Sequence, residues 1–254
     1  MDKSSLSMNK TKRVIKLGYT QYWRRVEKFD KENFEKVVKD FKEVISHLSP
    51  FVPLAGGLGK GKAVINNKMI WFNGVEKCGH TDRNLGITWP EDDASGIAFM
   101  TERYEDIPTK TLLTVLCGQE EELAVNDSDV SGTWFAGLKL KHRSCGGDCS
   151  HETFSLPLKI EKEGWQKPIG KISHYDQHGK PVHNNPEEIG LYFNCCKTAY
   201  KPYDLAVIIC LIIAKHYLKE QILVSSDGHI DNWKDGMLIC QKILGYGLDF
   251  VLKD

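Results

Sequence analysis

The residues best suited to chemistry lie close together in one short segment, SCGGDCSHETF at positions 144–154. Three residues separate Cys145 from Cys149, and His151 follows two positions later. Thiolate and imidazole are the ligands that zinc takes in tetrahedral protein sites, and a short spacer lets one turn present two of them. The two glycines between the cysteines permit the positive φ angles that such a turn often needs. The spacing therefore predicts three zinc ligands on one segment.

A fourth ligand is expected from a second pair of candidate ligands far upstream, Cys78 and His80. The predicted site has three thiolates and one imidazole, with His80 as a substitute ligand: Cys78, Cys145, Cys149 and His151. One Zn²⁺ held in this way would tie together the two ends of the irregular middle of the chain. A disulfide among these cysteines, or ordinary thiols in a turn, are the alternatives that the spacing leaves open.

Two candidate catalytic arrangements follow from the same region and from a cysteine pair further along the chain. If zinc had three protein ligands and an open position, Glu152 could act as a general base beside it. Cys195 and Cys196 precede Lys197 and a long apolar segment. A lysine and a helix N-terminus lower the pKa of a nearby thiol and make it reactive. Either arrangement would be consistent with a hydrolase or transferase. A closed zinc site and buried thiols would instead have only a structural role.

A further set of polar residues flanks the same apolar segment. Tyr203 and Asp204 stand at its start, and Ser226 and Asp227 end the strand that is predicted next. If the helix start and the strand end meet at one edge, these four side chains would line a ligand-binding site. The alternative is structural: a carboxylate at position 204 suits the helix dipole, and Asp227 with the following glycine forms a turn.

The glycine-rich segment GGLGKGKA at 56–63 matches only part of a phosphate-binding loop. Such a loop needs a preceding strand, a following helix and a Ser or Thr for magnesium, but Ala63 stands at that last position. The sequence therefore excludes an ATPase and favours a surface loop. Anion or nucleotide binding through Lys60, Lys62 and backbone N–H groups stays an alternative function.

The elements that must position these residues are clearest at the two ends of the chain. The N-terminal part predicts a strand within 14–29, a helix capped by Asp30 over 31–48, and a hairpin over 63–72. The C-terminal part predicts a helix over 203–218, a strand over 222–226, and a helix over 232–244 that is capped by Asp231 and ended by Gly245. Residues 74–190 have weak periodicity. This order predicts an α+β fold: a ferredoxin-like βαββαβ frame that carries 74–190 as a long, loop-rich, metal-stapled insertion.

Composition and charge give no indication of a nucleic-acid-binding or membrane-spanning protein. The chain has 254 residues, and its 34 Lys and Arg balance 34 Asp and Glu, so nothing indicates a nucleic acid as partner. Residues 1–12 predict a disordered tail, and 13–254 predict a single domain. The most apolar run, residues 205–214, is shorter than the ~20 residues of a transmembrane span. With no export signal visible, we expect a cytoplasmic protein with reduced thiols.

The part of the chain from 193 to 252 contains a series of short motifs: CKT, PYDL, AKH, SSDG, CQ and LGYG. In this order the motifs resemble those of a family of uncharacterised bacterial and phage proteins. IWFNGV, near residue 71, fits the same pattern. The resemblance implies no activity, substrate or catalytic residue.

These patterns predict a zinc-stabilised binding or interaction module whose partner the sequence does not identify. A metal- or cysteine-dependent hydrolase or transferase is the first alternative, and an anion- or nucleotide-binding protein is the second. The three differ in what they require: a closed metal site, a reactive thiol or open metal, or a loop that offers its N–H groups to an anion.

Overall fold

A computed structural model describes the chain at residues 19–48, 52, 54–78, 84–88, 98–101, 133–135, 138–140, 143–144, 148–161 and 166–253. Its helices are α1 (Lys31–Leu48), α2 (Asp204–Leu218) and α3 (Lys234–Leu244). The strands before residue 100 are β1 (Thr20–Arg25), β2 (Leu54–Ala55), β3 (Val64–Ile65), β4 (Met69–Gly74), β5 (Asn84–Thr88) and β6 (Ala98–Thr101). The later strands are β7 (Thr133–Phe135), β8 (Leu138–Leu140), β9 (Arg143–Ser144), β10 (Phe154–Pro157), β11 (Ile172–Tyr175), β12 (Pro181–His183), β13 (Tyr192–Lys197) and β14 (Ile222–Ser226).

Strand β1 lies at the centre of a three-stranded antiparallel sheet with the order β13–β1–β14. Alternate residues of β1 are buried, as expected for a strand with one face on a core. The register places Trp23 beside Asn194 and Val224. It places Gln21 beside Cys196 and Ser226, so a row of polar residues crosses the buried face at the start of β1.

Helix α1 confirms the predicted amphipathic helix and its cap. The Asp30 carboxylate accepts a hydrogen bond from the Asn33 N–H at 2.9 Å, which satisfies one of the free donors of the first turn. The apolar face is buried except at Ile45, which is half-buried, and the Phe41 ring lies 5.5 Å from the ring of Phe72 on β4. Burying a side chain of this size contributes about 2 kcal/mol to folding.

Helix α2 is apolar on every side and lies at the centre of the protein. It packs against α1, α3 and β14, so it has no solvent-facing stripe through most of its length. Among the helices that the structure describes, none combines the length and the apolar character needed to cross a membrane. The strand and helix predicted at 222–226 and 203–218 are confirmed to within one residue.

Helix α3 starts later than predicted. Residues Ile230–Asn232 form a single 3₁₀ turn, whose N-terminus is capped by His229 together with Asn232. Asp231, the predicted cap, instead forms an ion pair with Lys234 at 2.8 Å. The C-terminal end at Gly245 is as predicted, because this glycine adopts the left-handed conformation that closes a helix.

The α+β class is confirmed, but the ferredoxin-like frame is not. β4 pairs with β10, β2 and β3 in a second antiparallel sheet instead of joining β1. The hairpin predicted at 63–72 is present as β3 and β4. Three smaller sheets lie within the predicted insertion: β6–β5–β9, β7–β8 and β11–β12.

Arg25 connects the two main sheets from inside. Its guanidinium donates to the carbonyl oxygens of Pro157 and Leu158, at the end of β10, and lies 3.7 Å from the centre of the Phe29 ring. The Arg25 guanidinium contacts backbone carbonyls and an aromatic ring, and burial lowers the pKa of Arg25 to about 9. The β1 and β10 strands are therefore held in a fixed relation by one buried side chain.

Candidate ligand-binding site

A set of buried polar side chains meets at the end of the β1 sheet where β1 starts. We call it the polar cluster; its members are Tyr19, Gln21, Arg143, Thr198, Asp204 and Asp235. They come from β1 and the residue before it, from β9, from the residue after β13, and from the first turns of α2 and α3. Buried polar groups require hydrogen-bonded partners, so the contacts within the cluster decide what it can do.

Arg143 lies between two carboxylates. Its Nε is 3.0 Å from Asp204 Oδ2, Nη1 contacts Asp235 Oδ2, and Nη2 is 3.4 Å from Asp235 Oδ1. Each aspartate is in the first turn of its helix, where the dipole favours a negative charge. Burial opposes the charge on Arg143, but Asp235 and Asp204 outweigh burial and raise the pKa of Arg143 above its ordinary value.

The other carboxylate oxygen of Asp204, Oδ1, connects the helix to residues in and next to the β1 sheet. Asp204 Oδ1 accepts hydrogen bonds from Gln21 Nε2 at 2.9 Å and from the Thr198 hydroxyl at 2.6 Å. Burial raises the pKa of Asp204, and Arg143, Thr198 and Gln21 act in the opposite direction. One guanidinium faces two carboxylates, so the three charged groups sum to one negative charge when all are ionised.

Two atoms of the polar cluster have no hydrogen-bond partner among the described residues: the Tyr19 hydroxyl and Gln21 Oε1. Both side chains are buried. Burial and the Asp204 charge raise the pKa of Tyr19, and the nearby side chains of Gln21 and Ser226 act in the opposite direction. Leaving such a group unpaired costs about 1–3 kcal/mol. Two adjacent unpaired polar atoms therefore mark a place where another molecule could satisfy them.

A strained turn covers this place. Lys201 N–H donates to Thr198 O at 2.9 Å and closes a turn in which Ala199 and Tyr200 have φ of 50° and 55°. Turns of this type normally use Asn and Gly, because other residues adopt positive φ at a cost of about 1 kcal/mol each. The turn stacks the Tyr200 ring on Tyr19, with centres 3.7 Å apart and planes 9° from parallel.

The four residues predicted to line a ligand site are only partly together. Asp204 belongs to the polar cluster, and Ser226 lies beside it on the same row of the sheet. Asp227 accepts a hydrogen bond from the Tyr22 hydroxyl at 2.8 Å, in an exposed position. The Tyr203 hydroxyl donates to the Glu152 carbonyl at 2.6 Å, so it is already used within the fold.

The predicted zinc ligands fall partly within the described structure. Cys145 and His80 lie outside the described residues. Cys149 N–H donates to Val75 O at 3.1 Å, which places the segment of Cys149 against the one that leads to Cys78. His151 is exposed, and its backbone is fixed by Asn73. Within the described residues, no group of three or more His, Cys, Asp or Glu side chains is placed to hold a metal ion.

The candidate catalytic groups are engaged in structural contacts. The Glu152 carboxylate accepts the Lys197 N–H at 2.6 Å. Cys196 is buried and its thiol contacts the Glu152 carbonyl at 3.4 Å; burial raises the pKa of Cys196 above its ordinary value. Burial and the Glu152 charge also raise the pKa of Cys195. Raised pKa values are the opposite of what the prediction of a reactive thiol required.

The glycine-rich loop also uses its polar groups internally. The N–H groups of Gly56, Gly59 and Lys60 donate to carbonyls of the same loop, and that of Leu58 donates to the Thr153 hydroxyl. The Lys60 ammonium pairs with Glu76 at 3.1 Å. This geometry favours the surface-loop interpretation over a cradle for anions.

Sequence reasoning missed most of the polar cluster. Arg143 lies in a stretch of the sequence without periodicity. One signal was available at Gln21, because a polar residue stands at an inward position of an alternating strand, between Tyr19 and Trp23. For Asp235, in the first turn of α3, the sequence predicts only a carboxylate near a helix N-terminus, with no indication of its contact with Arg143.

The role of Arg143 predicts a large loss of stability in the variant Arg143→Met, which leaves two buried carboxylates without their cation. We expect the free energy of unfolding to fall by about 3–5 kcal/mol. Arg24→Met is the matched control, since Arg24 pairs with Glu188 at 3.1 Å in a partly exposed position, and we expect a loss of about 1 kcal/mol or less. Urea unfolding measures both, and equal losses would contradict the assignment.

Comparisons with family models, with curated proteins and with solved structures gave no match. The resemblance to uncharacterised bacterial and phage proteins therefore stays a prediction. The chemistry of the polar cluster is the basis on which a function is proposed.

Proposed function

We propose that this chain is a binding protein that holds its ligand non-covalently at the polar cluster. The observation that carries the proposal is a pair of buried atoms without a hydrogen-bond partner among the described residues, the Tyr19 hydroxyl and Gln21 Oε1, at the place where Tyr200 stacks on the Tyr19 ring. Natural proteins pair nearly all buried polar groups, so adjacent exceptions call for a molecule that completes them. A bound ligand would form hydrogen bonds with these two atoms without requiring the surrounding side chains, apart from Tyr200, to move.

The carboxylates of the cluster support binding over acid–base catalysis. A general base must be free to accept a proton from a substrate. Asp204 is held by Arg143, Gln21 and Thr198, and Asp235 by Arg143 and the Gly236 N–H. Moving a proton to either carboxylate would break the buried ion pairs on which the fold depends.

The thiols support the same interpretation. A nucleophilic cysteine needs a lowered pKa and a base within hydrogen-bond reach. Cys196 is enclosed between Glu152 and Tyr203, and Cys195 lies on the opposite face of the sheet from the polar cluster. A hydrolase or transferase that uses these thiols is therefore disfavoured.

The proposal predicts a compound that stabilises the protein through the Tyr19 hydroxyl. Differential scanning fluorimetry would test wild type against a panel of small cations, anions and neutral polar compounds, with each compound analysed afterwards for turnover. The Tyr19→Phe variant removes only an unpartnered hydroxyl, so we expect its own Tm to stay within about 2 °C of wild type. At least one compound should raise the Tm of wild type and raise that of Tyr19→Phe less.

Tyr175→Phe is the matched control, since Tyr175 lies on the exposed hairpin β11–β12. It should respond to the compound like wild type. A panel without any stabilising compound would contradict the binding function, and conversion of a stabilising compound into a product would replace it with an enzymatic one.

A structural zinc is a second proposal, favoured by one specific contact. The bond from Cys149 N–H to Val75 O brings two cysteine-bearing segments together that are far apart in the sequence. Gly74 lies so close to this segment that a side chain there would meet the Cys149 carbonyl at 1.9 Å. Zinc between Cys78 and Cys149, with further ligands from the predicted set, would fasten the insertion at a second point besides Arg143.

The zinc proposal predicts about one zinc ion per chain in the purified protein. Plasma mass spectrometry would measure the metal in wild type, in the double variant Cys78→Ser/Cys149→Ser, and in the control Cys195→Ser. Zinc should be lost only from the double variant, together with part of the thermal stability. Wild-type protein without zinc would rule out the staple and leave the binding function untouched.

A further inference from the structure

The ligand of the polar cluster must satisfy atoms that accept hydrogen bonds. Gln21 Oε1 is an acceptor, and the Tyr19 oxygen accepts as well as donates. Next to them, Asp204 Oδ1 is a carboxylate oxygen that already accepts from Gln21 and Thr198. A ligand with several N–H donors matches this set, whereas a carboxylate or phosphate would bring further acceptors to it.

The charges around the site favour a cation. Arg143 is shared by Asp204 and Asp235, so these three groups together carry one negative charge when all are ionised. Asp227 adds a carboxylate near Tyr200. Burial and the charges of Asp204 and Asp227 raise the pKa of Tyr200 above its ordinary value, and the charge of Arg143 acts in the opposite direction.

The aromatic rings favour a cation for a separate reason. The faces of tyrosine rings carry partial negative charge and attract ammonium or guanidinium groups within about 6 Å. Tyr19 presents its ring next to its unpaired hydroxyl, but in the described conformation Tyr200 covers one face at 3.7 Å. Tyr19 is 2% exposed, so a ligand reaches it only after Tyr200 has moved.

The segment that would move is the strained one. Ala199 and Tyr200 both have positive φ, so the covering conformation is held against a backbone preference for other angles. The turn is also tied down, because the N–H groups of Thr198 and Ala199 both donate to Tyr19 O at 2.9 Å. Tyr200 itself is partly exposed, so the ring that covers Tyr19 also borders solvent.

From these observations we propose that the polar cluster binds an organic cation with N–H donors, a primary ammonium or guanidinium group, and that Tyr200 is the gate that opens for it. The bound cation donates to Gln21 Oε1 and to the Tyr19 oxygen and takes the place of the Tyr200 ring against Tyr19. The inference rests on the proposed binding function and names the chemical class of its ligand. The same group occurs in free amines and in lysine or arginine side chains of a protein partner.

The test is an NMR titration of the ¹⁵N-labelled full chain with n-butylammonium. We expect saturable shifts confined to the amides of Tyr19, Gln21, Ala199 and Tyr200, with a Kd on the order of 1 mM. Tetramethylammonium has the same charge without N–H donors and should bind at least about tenfold more weakly. n-Butanol, which lacks the charge, should give no saturable shift.

Two variants separate the gate from the contacts. Tyr19→Phe should weaken n-butylammonium about tenfold, since a hydrogen bond to a charged group is lost. Tyr200→Gly removes the covering ring and relieves the positive φ, so it should strengthen binding about threefold or more by making the open state common. Tyr175→Phe, on the exposed hairpin, should leave the affinity unchanged.

A blocked tripeptide Ala-Lys-Ala, titrated in parallel, distinguishes the two sources of the cation. Tighter binding of the peptide than of n-butylammonium indicates a side chain of a partner protein, and weaker binding indicates a free amine; either result supports the cation site. Absence of saturable shifts with both cations, or equal binding of tetramethylammonium, would overturn the inference. If an anion or neutral compound from the panel binds through Tyr19 instead, the binding function stands and the cation assignment fails.

Discussion

The buried contact of Arg143 with Asp204 and Asp235 is the constraint on which the arrangement of the chain depends. It joins a strand of the irregular middle region to the N-terminal ends of α2 and α3. Removing charges from water costs several kcal/mol per ion, and only close, well-formed contacts offset this cost. The arrangement is therefore specific, because each carboxylate has a defined place around one guanidinium.

The same contact explains why the candidate site lies where it does. Asp204 cannot bind Arg143, Gln21 and Thr198 together unless the first turn of α2 lies against the start of β1. This proximity buries the side chains of Gln21 and Tyr19. Among the described residues, Gln21 Oε1 and the Tyr19 hydroxyl then have no hydrogen-bond partner. Strain in the turn at Ala199 and Tyr200, and the unpaired atoms below it, are features that structures keep where a ligand binds.

Periodic patterns in the sequence were sufficient for the core but not for the site. Helix α1 and strand β14 were predictable because burial repeats along them with a fixed period. The partners of β1 were not, since pairing with β13 spans most of the chain and leaves no local signal. The role of Arg143 could not be predicted for the same reason. Its carboxylate partners are distant in the sequence and meet it only in the folded protein.

A double-mutant cycle measures whether Arg143 and Asp235 form a coupled buried pair. Unfolding free energies of wild type, Arg143→Met, Asp235→Asn and the double variant would be obtained from urea titrations under one set of conditions. We expect the double variant to be more stable than the sum of the single losses implies, by about 2 kcal/mol or more. Losses that add to within about 0.5 kcal/mol would show that Arg143 and Asp235 stabilise the protein independently and do not form a coupled pair.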